Sequence, residues 1–340
     1  MNTALKTEVL GPRPADHNLP PNLRVIDLDP PEIDAQKSIA AWLSGTVASP
    51  PARLLYDATG AALFEQICQT PEYYLTRLEK RLLPHIPGAL APHLRSDAQI
   101  VEYGSGSHAK IALLLDALPQ LRSHVPIDIS KAHLIDNAQV LARRFSSHRF
   151  TAICADFFQE IALPTRADGD ETLQNIGFFP GSTIGNMDND AAIEFMANAR
   201  RALGPGCLFI LAIDRMKDPT ILRSAYMDEA GVSARFSLNL IDRINREMSG
   251  DIDKSAFHYD AVFNPETEAI EMYWQVDRPL TAQVADKVLN FHKGQRFLVE
   301  ISRKFTPQSL DDLAHHSGFD RIDLLSDSAE LYSLALLRAQ

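Results

Sequence analysis

From residue 98 onward, short apolar runs alternate with amphipathic stretches. The candidate strands are 100–103, 125–129, 150–155, 176–180 and 207–214, and the candidate helices are 110–117, 131–145 and 190–203. Short apolar strands separated by helices predict a mostly parallel sheet covered on both faces. The first four strands each run into a polar cluster: Gly104-Ser105-Gly106, Asp128-Ile129-Ser130, Asp156-Phe157-Phe158, and Gly181 to Asn186. In a doubly wound fold all four line one crevice at the carboxyl ends of the strands. Four unrelated loops would need no such concentration of Gly, Asp and Asn, so the pattern favours a site.

The pattern differs on either side of this block. Residues 1–33, with Pro12, Pro14, Pro20, Pro21, Pro30 and Pro31, predict an extended N-terminal arm rather than a core element. Residues 34–95 predict a helical segment with helices over 34–44, 60–68 and 76–83; Asp34 is a candidate N-cap, and Gly45 and Pro84 are stops. After Asp214 the rhythm breaks. Helical stretches over 220–230 and 235–247 precede strand-like pieces over 256–263, 269–276 and 295–304. This is too long for an ordinary connection, and 215–305 reads as an inserted lobe. Residues 306–340 return to the sheet, with a helix from Thr306 to His316, a stop at Gly318, and closing strands over 322–325 and 331–338. The organisation expected is therefore a nucleotide-binding-type domain over 96–214 and 306–340, with a substrate lobe from the N-terminal and inserted segments.

Composition narrows the partners. The 340 residues carry 33 basic and 44 acidic side chains, a net charge of −11, which disfavours nucleic acid because phosphate binding needs a basic face. No apolar run reaches a membrane-spanning length, and the first residues lack the apolar core of a signal peptide, so a cytoplasmic location is expected. Cys68, Cys154 and Cys207 form neither a disulfide framework nor a zinc pattern and read as buried reduced thiols. His108, His315 and His316 lack metal-ligand spacing, and no metal is expected. The acidic segment 159–174 reads as a surface loop.

The chemistry gathers at residues 99–110, QIVEYGSGSHAK: strand, glycine turn, helix. Glycines at 104 and 106 let a ligand lie against the backbone, and the helix behind offers unpaired N–H groups. The spacing Gly104-x-Gly106-x-x-Ala109 fits both a dinucleotide fingerprint and the first motif of S-adenosylmethionine (SAM) methyltransferases; an ordinary tight turn fits it too. A triphosphate loop fits poorly, since Ile111 follows Lys110. The acid before the glycines, Glu102, and the strand pair after the last helix favour SAM.

From residue 54 to residue 338 the chain resembles the histidine-specific Nα-methyltransferases of ergothioneine biosynthesis, which make the trimethylated betaine hercynine from L-histidine. The motifs are LLYDATGAALFEQICQTPEYYLTRLEKRLL, VEYGSGSHAKIALLLDAL, VPIDIS, ADFF, FFPGSTIGN, SAYMDEAGV, IEMYW and VEISRKF. The resemblance implies a Rossmann-like SAM domain with a substrate lobe. It assigns Gly104, with Ser105 and Gly106, and Lys110 to the methionine end of SAM, Asp128 to the ribose hydroxyls, and Asp156 and Phe157 to the adenine. Asp156 also reads as a helix N-cap. For the substrate it assigns Asn186 and Tyr226 to the amino and carboxylate groups, Tyr73 (beside Tyr74) to the histidine ring, and Tyr56 to the methylated amine. Glu300 and Ser302, two apart on one strand face, are assigned to the imidazole nitrogens, and Met272 to an apolar wall. The alternative for Glu300 is an exposed residue paired with Arg303 and Lys304.

Methyl transfer to an amine is an in-line displacement, so positioning is the enzyme's main contribution; an α-amine is partly protonated near neutrality, and Tyr56 with Asn186 is the candidate catalytic pair for removing its proton. The expected partner is a small molecule, L-histidine, bound by a monomer. Two other functions fit less well. One is a sister enzyme acting on tryptophan or tyrosine, against which Glu300 argues; the other is a SAM-binding protein without turnover.

Overall fold

A computed structural model of the chain describes residues 19–30, 34–106, 108–163 and 173–340. The chain opens with β1 (Leu23–Asp27), followed by α1 (Ala35–Leu43), α2 (Ala58–Ile67), α3 (Leu75–Leu82) and α4 (Ile86–Leu90). The alternating block follows: β2 (Ala98–Tyr103), α5 (His108–Ala117), β3 (Leu121–Asp128), α6 (Lys131–Arg144) and β4 (Arg149–Cys154). It continues with β5 (Gln174–Phe179), α7 (Asn189–Leu203) and β6 (Leu208–Asp214). The insertion contains α8 (Pro219–Ser224), α9 (Val232–Glu247), β7 (Phe257–Asn264), β8 (Ala269–Val276), β9 (Leu280–Val284), β10 (Lys287–Phe291) and β11 (Arg296–Arg303). The chain closes with α10 (Pro307–His316), β12 (Phe319–Ser326) and β13 (Tyr332–Ala339).

The main sheet has the order β1-β4-β3-β2-β5-β6-β13-β12. β1 to β6 pair in parallel, and β13 lies antiparallel between β6 and β12. Every residue of β2 and β6 is buried, because helices cover both faces and no position faces water. The chain runs outward from β2 to β3 and β4, then returns at β5 on the other side of β2. That reversal opens a crevice at the carboxyl ends of β2 and β5. Side-chain caps fix the helices around it: Asp34 accepts the Lys37 N–H, and Thr306 and Ser309 form a reciprocal capping box on α10. The insertion forms a three-stranded antiparallel sheet, β11-β8-β7, and a separate hairpin, β9-β10.

The structure departs from several expectations. The arm expected over 1–33 contains β1, which pairs with β4 at residues 23–27; its run Leu-Arg-Val-Ile-Asp is a strand pattern that the flanking prolines disguised. Residues 1–18 and 31–33, and 164–172 of the expected surface loop, lie outside the described residues. The helix expected over 220–230 ends at Ser224, since residues 225–231 turn into α9 through Gly231 at φ +65°. The β9-β10 hairpin was not anticipated, because Val284-Ala285-Asp286-Lys287 lacks a glycine turn and Ala285 takes φ +53° instead. Cys154 and Cys207 are buried free thiols as expected, whereas Cys68 is only partly buried. Among the described residues no helix is long and apolar enough to cross a membrane, and no group of three or more His, Cys, Asp or Glu side chains is arranged to hold a metal.

Candidate active site

The glycine turn sits where β2 ends. Gly104 has φ +77°, a conformation that favours glycine, and a Cβ there would lie 3.7 Å from the Phe157 ring. Below the turn, Glu102 is buried and accepts from Ser105 Oγ at 3.1 Å and from His124 Nε2 at 3.2 Å. The Ser105 hydroxyl is thus committed inward, and what this residue offers a ligand is backbone. Asp128, at the end of β3, accepts the Ser130 N–H at 2.8 Å; burial, reinforced by Glu102, holds its carboxyl above the ordinary range. At the end of β4, Asp156 accepts the Phe158 N–H at 3.1 Å and meets Arg53 at 3.4 Å. No helix starts at Asp156, so the expected N-cap is an Asx turn instead. Phe157 packs edge-on to Phe179 and Phe195, with centroids 5.8 Å from each. Gly104, Asp128, Asp156 and Phe157 therefore follow one another along the carboxyl edge of β2, β3 and β4.

Lys110 reaches back across the crevice to Glu79 on α3. Glu79 is fully buried, and its other oxygen accepts the Gly181 N–H at 2.7 Å. One carboxylate thus ties the glycine-turn side to the loop after β5. That loop is shaped by two further contacts. Ser182 takes φ +58°, and its hydroxyl accepts the Asp214 N–H at 2.8 Å. At Gly185 a Cβ would lie 2.8 Å from the Arg303 carbonyl oxygen, so only glycine lets β11 come this close. The close approach brings Asn186 to Glu300: Asn186 Nδ2 donates to Glu300 Oε1 at 3.1 Å.

A bulge sets the face that β11 presents. Phe297 pairs with Trp274 and Leu298 with Tyr273, but the register then shifts and Glu300 pairs with Met272. One extra residue, Val299, reverses the alternation, so Glu300 and Ser302, rather than Val299 and Ile301, share the face of Phe297, Trp274 and Met272. Burial pushes the Glu300 carboxyl up to about 7, against the opposing pull of Lys304. The surface-pair alternative does not hold: Glu300 is partly buried, Lys304 is fully buried, and Arg303 points away to Asn189 at 3.2 Å.

Around Glu300 stands an aromatic wall. Tyr56 meets Phe64 and Phe236 with centroids 5.4 and 5.3 Å away, and Tyr73 meets Phe64 at 6.2 Å and Tyr226 at 6.1 Å. Tyr73, not Tyr74, belongs to this cluster; the Tyr74 hydroxyl turns away to Asp214 at 2.9 Å. Tyr56 is 40% exposed, at the open side. Crowding around its hydroxyl, then the Glu300 charge, raises its phenol well above the ordinary range, so it keeps its proton near neutrality. Burial and Glu300 act likewise on Tyr259 of β7.

Behind the wall lies a buried ionic cluster. Lys304 pairs with Asp214 Oδ2 at 2.8 Å and donates to the Tyr226 hydroxyl and to Ser302 Oγ, each at 2.8 Å. Tyr226 and Ser302 share a hydrogen bond of 2.7 Å. Lys217 also pairs with Asp214 and donates to Tyr74 at 2.6 Å; burial lowers its ammonium to about 8 although Asp214 raises it. Burial alone would lower Lys304 as well, but Asp214 and Tyr226 hold it above the ordinary lysine range.

The sequence-expected residues thus fall into two groups at one crevice. Gly104, Gly106, Lys110, Asp128, Asp156 and Phe157 stand along the sheet edge; Tyr56, Tyr73, Asn186, Tyr226, Met272, Glu300 and Ser302 stand around the lobe face. Sequence reasoning missed Glu79, Asp214, Lys217, Tyr259 and Lys304. Asp214 carried a signal, since it ends an apolar strand as Asp128 does, and Lys304 continues the alternation Glu300, Ser302.

Comparison with known proteins bears on this arrangement. The model of the histidine-specific, SAM-dependent methyltransferase family matches residues 35–339. A histidine N-alpha-methyltransferase of Mycobacterium tuberculosis is 34% identical over 306 residues, which is 88% of this chain and 94% of that protein. Its counterpart in Mycolicibacterium smegmatis is 31% identical over the same shares. Ergothioneine biosynthesis protein 1 of Schizosaccharomyces pombe is 23% identical over 85% of this chain and 39% of its own length.

Proposed function

The chain belongs to the histidine-specific, SAM-dependent methyltransferases, and on that premise we propose that it trimethylates the α-amino group of L-histidine to the betaine hercynine, the first step of ergothioneine biosynthesis. The observation that carries the reading is the Asn186–Glu300 contact. It joins the loop at the sheet's switch point, where the methyl donor belongs, to a carboxylate suited to an imidazole N–H.

The residues present fit the donor. Gly104 leaves room for a ligand against the backbone, Lys110 supplies a cation for a carboxylate, and Asp128 supplies acceptors for a vicinal diol. Asp156 and Phe157 supply an acceptor and an aromatic face for the adenine. Bound SAM supplies the methyl group. The chain's own part is to hold histidine with its amine in line. Glu300 and Ser302 take the ring, and Met272 bounds it. Asn186 serves the amine and carboxylate; Tyr226, which the resemblance assigns to the carboxylate, spends its hydroxyl on Ser302 and Lys304 and acts on the pocket through them. Asn186 spends one N–H on Glu300 and keeps its carbonyl and second N–H for the substrate. Tyr56, kept protonated, accepts a hydrogen bond from the amine but does not take its proton, so each transfer releases a proton to water at the open side. The faces of Tyr56, Tyr73, Phe64 and Phe236 tolerate the growing ammonium. The proposal keeps the expectation of a metal-free, cytoplasmic monomer.

Calorimetry tests the assignment. The protein should bind SAM or its demethylated product S-adenosylhomocysteine, and the loaded protein should then bind histidine. Asp128→Ala should weaken the first step by about 1.5–3 kcal/mol, roughly tenfold to a hundredfold. Binding of NAD without a response to SAM would contradict the cofactor, and a loaded protein indifferent to histidine would contradict the substrate.

A further inference from the structure

We propose that Lys304 is a positioning residue that makes the ring pocket selective for an uncharged imidazole in one tautomer; this rests on the histidine reading above. An ammonium has three donors and no acceptor. Lys304 spends its donors on Asp214 Oδ2, the Tyr226 hydroxyl and Ser302 Oγ, all at 2.8 Å. Each hydroxyl oxygen therefore gives one lone pair to Lys304. The two hydroxyls are also 2.7 Å apart, so one donates to the other. The phenol is the stronger acid, and its second lone pair is delocalised into its ring, which makes it the donor and Ser302 the acceptor. Ser302 Oγ then has both lone pairs filled and one hydrogen left over. Toward a ligand it can only donate.

Glu300, when ionised, can only accept. It lies on the same strand face as Ser302, two residues away. A ring held between them must offer one N–H and one bare nitrogen, which is neutral imidazole with its proton on the Glu300 side. Imidazolium would set an N–H against the Ser302 O–H, with a buried ammonium behind it. The charged and titratable groups around this point are Glu300 from β11 and Lys304 just after it, Asp214 at the end of β6 and Lys217 beyond it, Tyr226, Tyr259 from β7, Tyr56, and Tyr73 and Tyr74 before α3. The Ser302 hydroxyl is 5% exposed at the residue level, so water does not supply the missing acceptor freely.

The test is titration of the protein loaded with S-adenosylhomocysteine, using two ligands at about pH 5 to 8: histidine, and β-(1,2,4-triazol-3-yl)alanine. The triazole carries the same N–H and bare nitrogen but stays neutral across this range. Both ligands meet Glu300 and share the α-amine, so the ratio of their affinities isolates the charge of the ring. In the wild type the histidine-to-triazole ratio should fall about tenfold per pH unit below the ordinary histidine value of about 6.5. Lys304→Met should flatten that fall. Tyr226→Phe leaves the buried charge pair in place and returns a lone pair to Ser302, so its fall should be shallower than the wild type's; it and the wild-type profile carry the test if Lys304→Met does not fold. A wild-type ratio that stays flat or rises toward low pH overturns the inference. A fall of wild-type steepness in the folded variants overturns the part given to Lys304. Failure of the wild type to bind either ligand contradicts the histidine reading, and this inference with it.

Discussion

Asp214→Ala should cost about 3–5 kcal/mol of folding stability, among the largest losses open to a single polar side chain here, because it strands buried charge. Asp214 is fully buried and pairs with both Lys304, also fully buried, and Lys217. It further accepts from Tyr74 through both oxygens, at 2.9 and 3.0 Å. Without it two ammoniums face each other, and Lys304 keeps only the two neutral hydroxyls. Denaturant unfolding checks the value, with Asp116→Ala as control. Asp116 pairs with Arg144 at the surface, where both side chains are about half exposed, and such a pair contributes about 0–1 kcal/mol. An Asp214→Ala protein as stable as the control would mean that the ionic cluster is not what joins the sheet to the lobe.

Glu300→Ala should lower the specificity constant for histidine by tenfold to a hundredfold, since about 1–3 kcal/mol is lost when a desolvated ring N–H has no partner. For tryptophan the loss should be smaller, or a gain, because a neutral pocket no longer penalises an indole. The same residue gives a pH dependence with a definite sign. Burial lifts the Glu300 carboxyl from 4.5 to about 7. The folded protein thus holds this proton more tightly than the unfolded chain, and ionising Glu300 costs stability as pH rises from about 4.5 through about 7. Glu300→Gln should therefore be no less stable than the wild type at pH 8, while binding histidine more weakly. The site carboxylate is kept at the expense of stability. A histidine constant unchanged in Glu300→Ala, with the protein folded and SAM bound, would place the ring elsewhere.

How far the sequence reveals this site depends on the kind of signal each residue carries. The sheet edge was legible because Asp128 and Asp156 each end an apolar strand, and strand ends in such folds face the crevice. The lobe face was legible only in part. Alternation put Glu300 and Ser302 on one side, but which side depends on the Val299 bulge, which is a matter of register and leaves no local mark. The choice between Tyr73 and Tyr74 was equally hidden: the partner of Tyr74, Asp214, lies 140 residues away. Glu79 looked like one more charge on an amphipathic helix, and its role follows from the Gly181 N–H and Lys110 that meet it from two other elements. β1 was lost among prolines because a five-residue edge strand takes its identity from its pairing with β4 rather than from its own composition.

A competition among amino acids tests α-amino methylation of histidine. The purified protein is given SAM and an equimolar mixture of the twenty amino acids, and the products are read by tandem mass spectrometry. Histidine alone should gain one, then two, then three methyl groups, all on the α-nitrogen, with the trimethylated betaine accumulating. Methylation of a ring nitrogen, or preferential methylation of tryptophan or tyrosine, would contradict it.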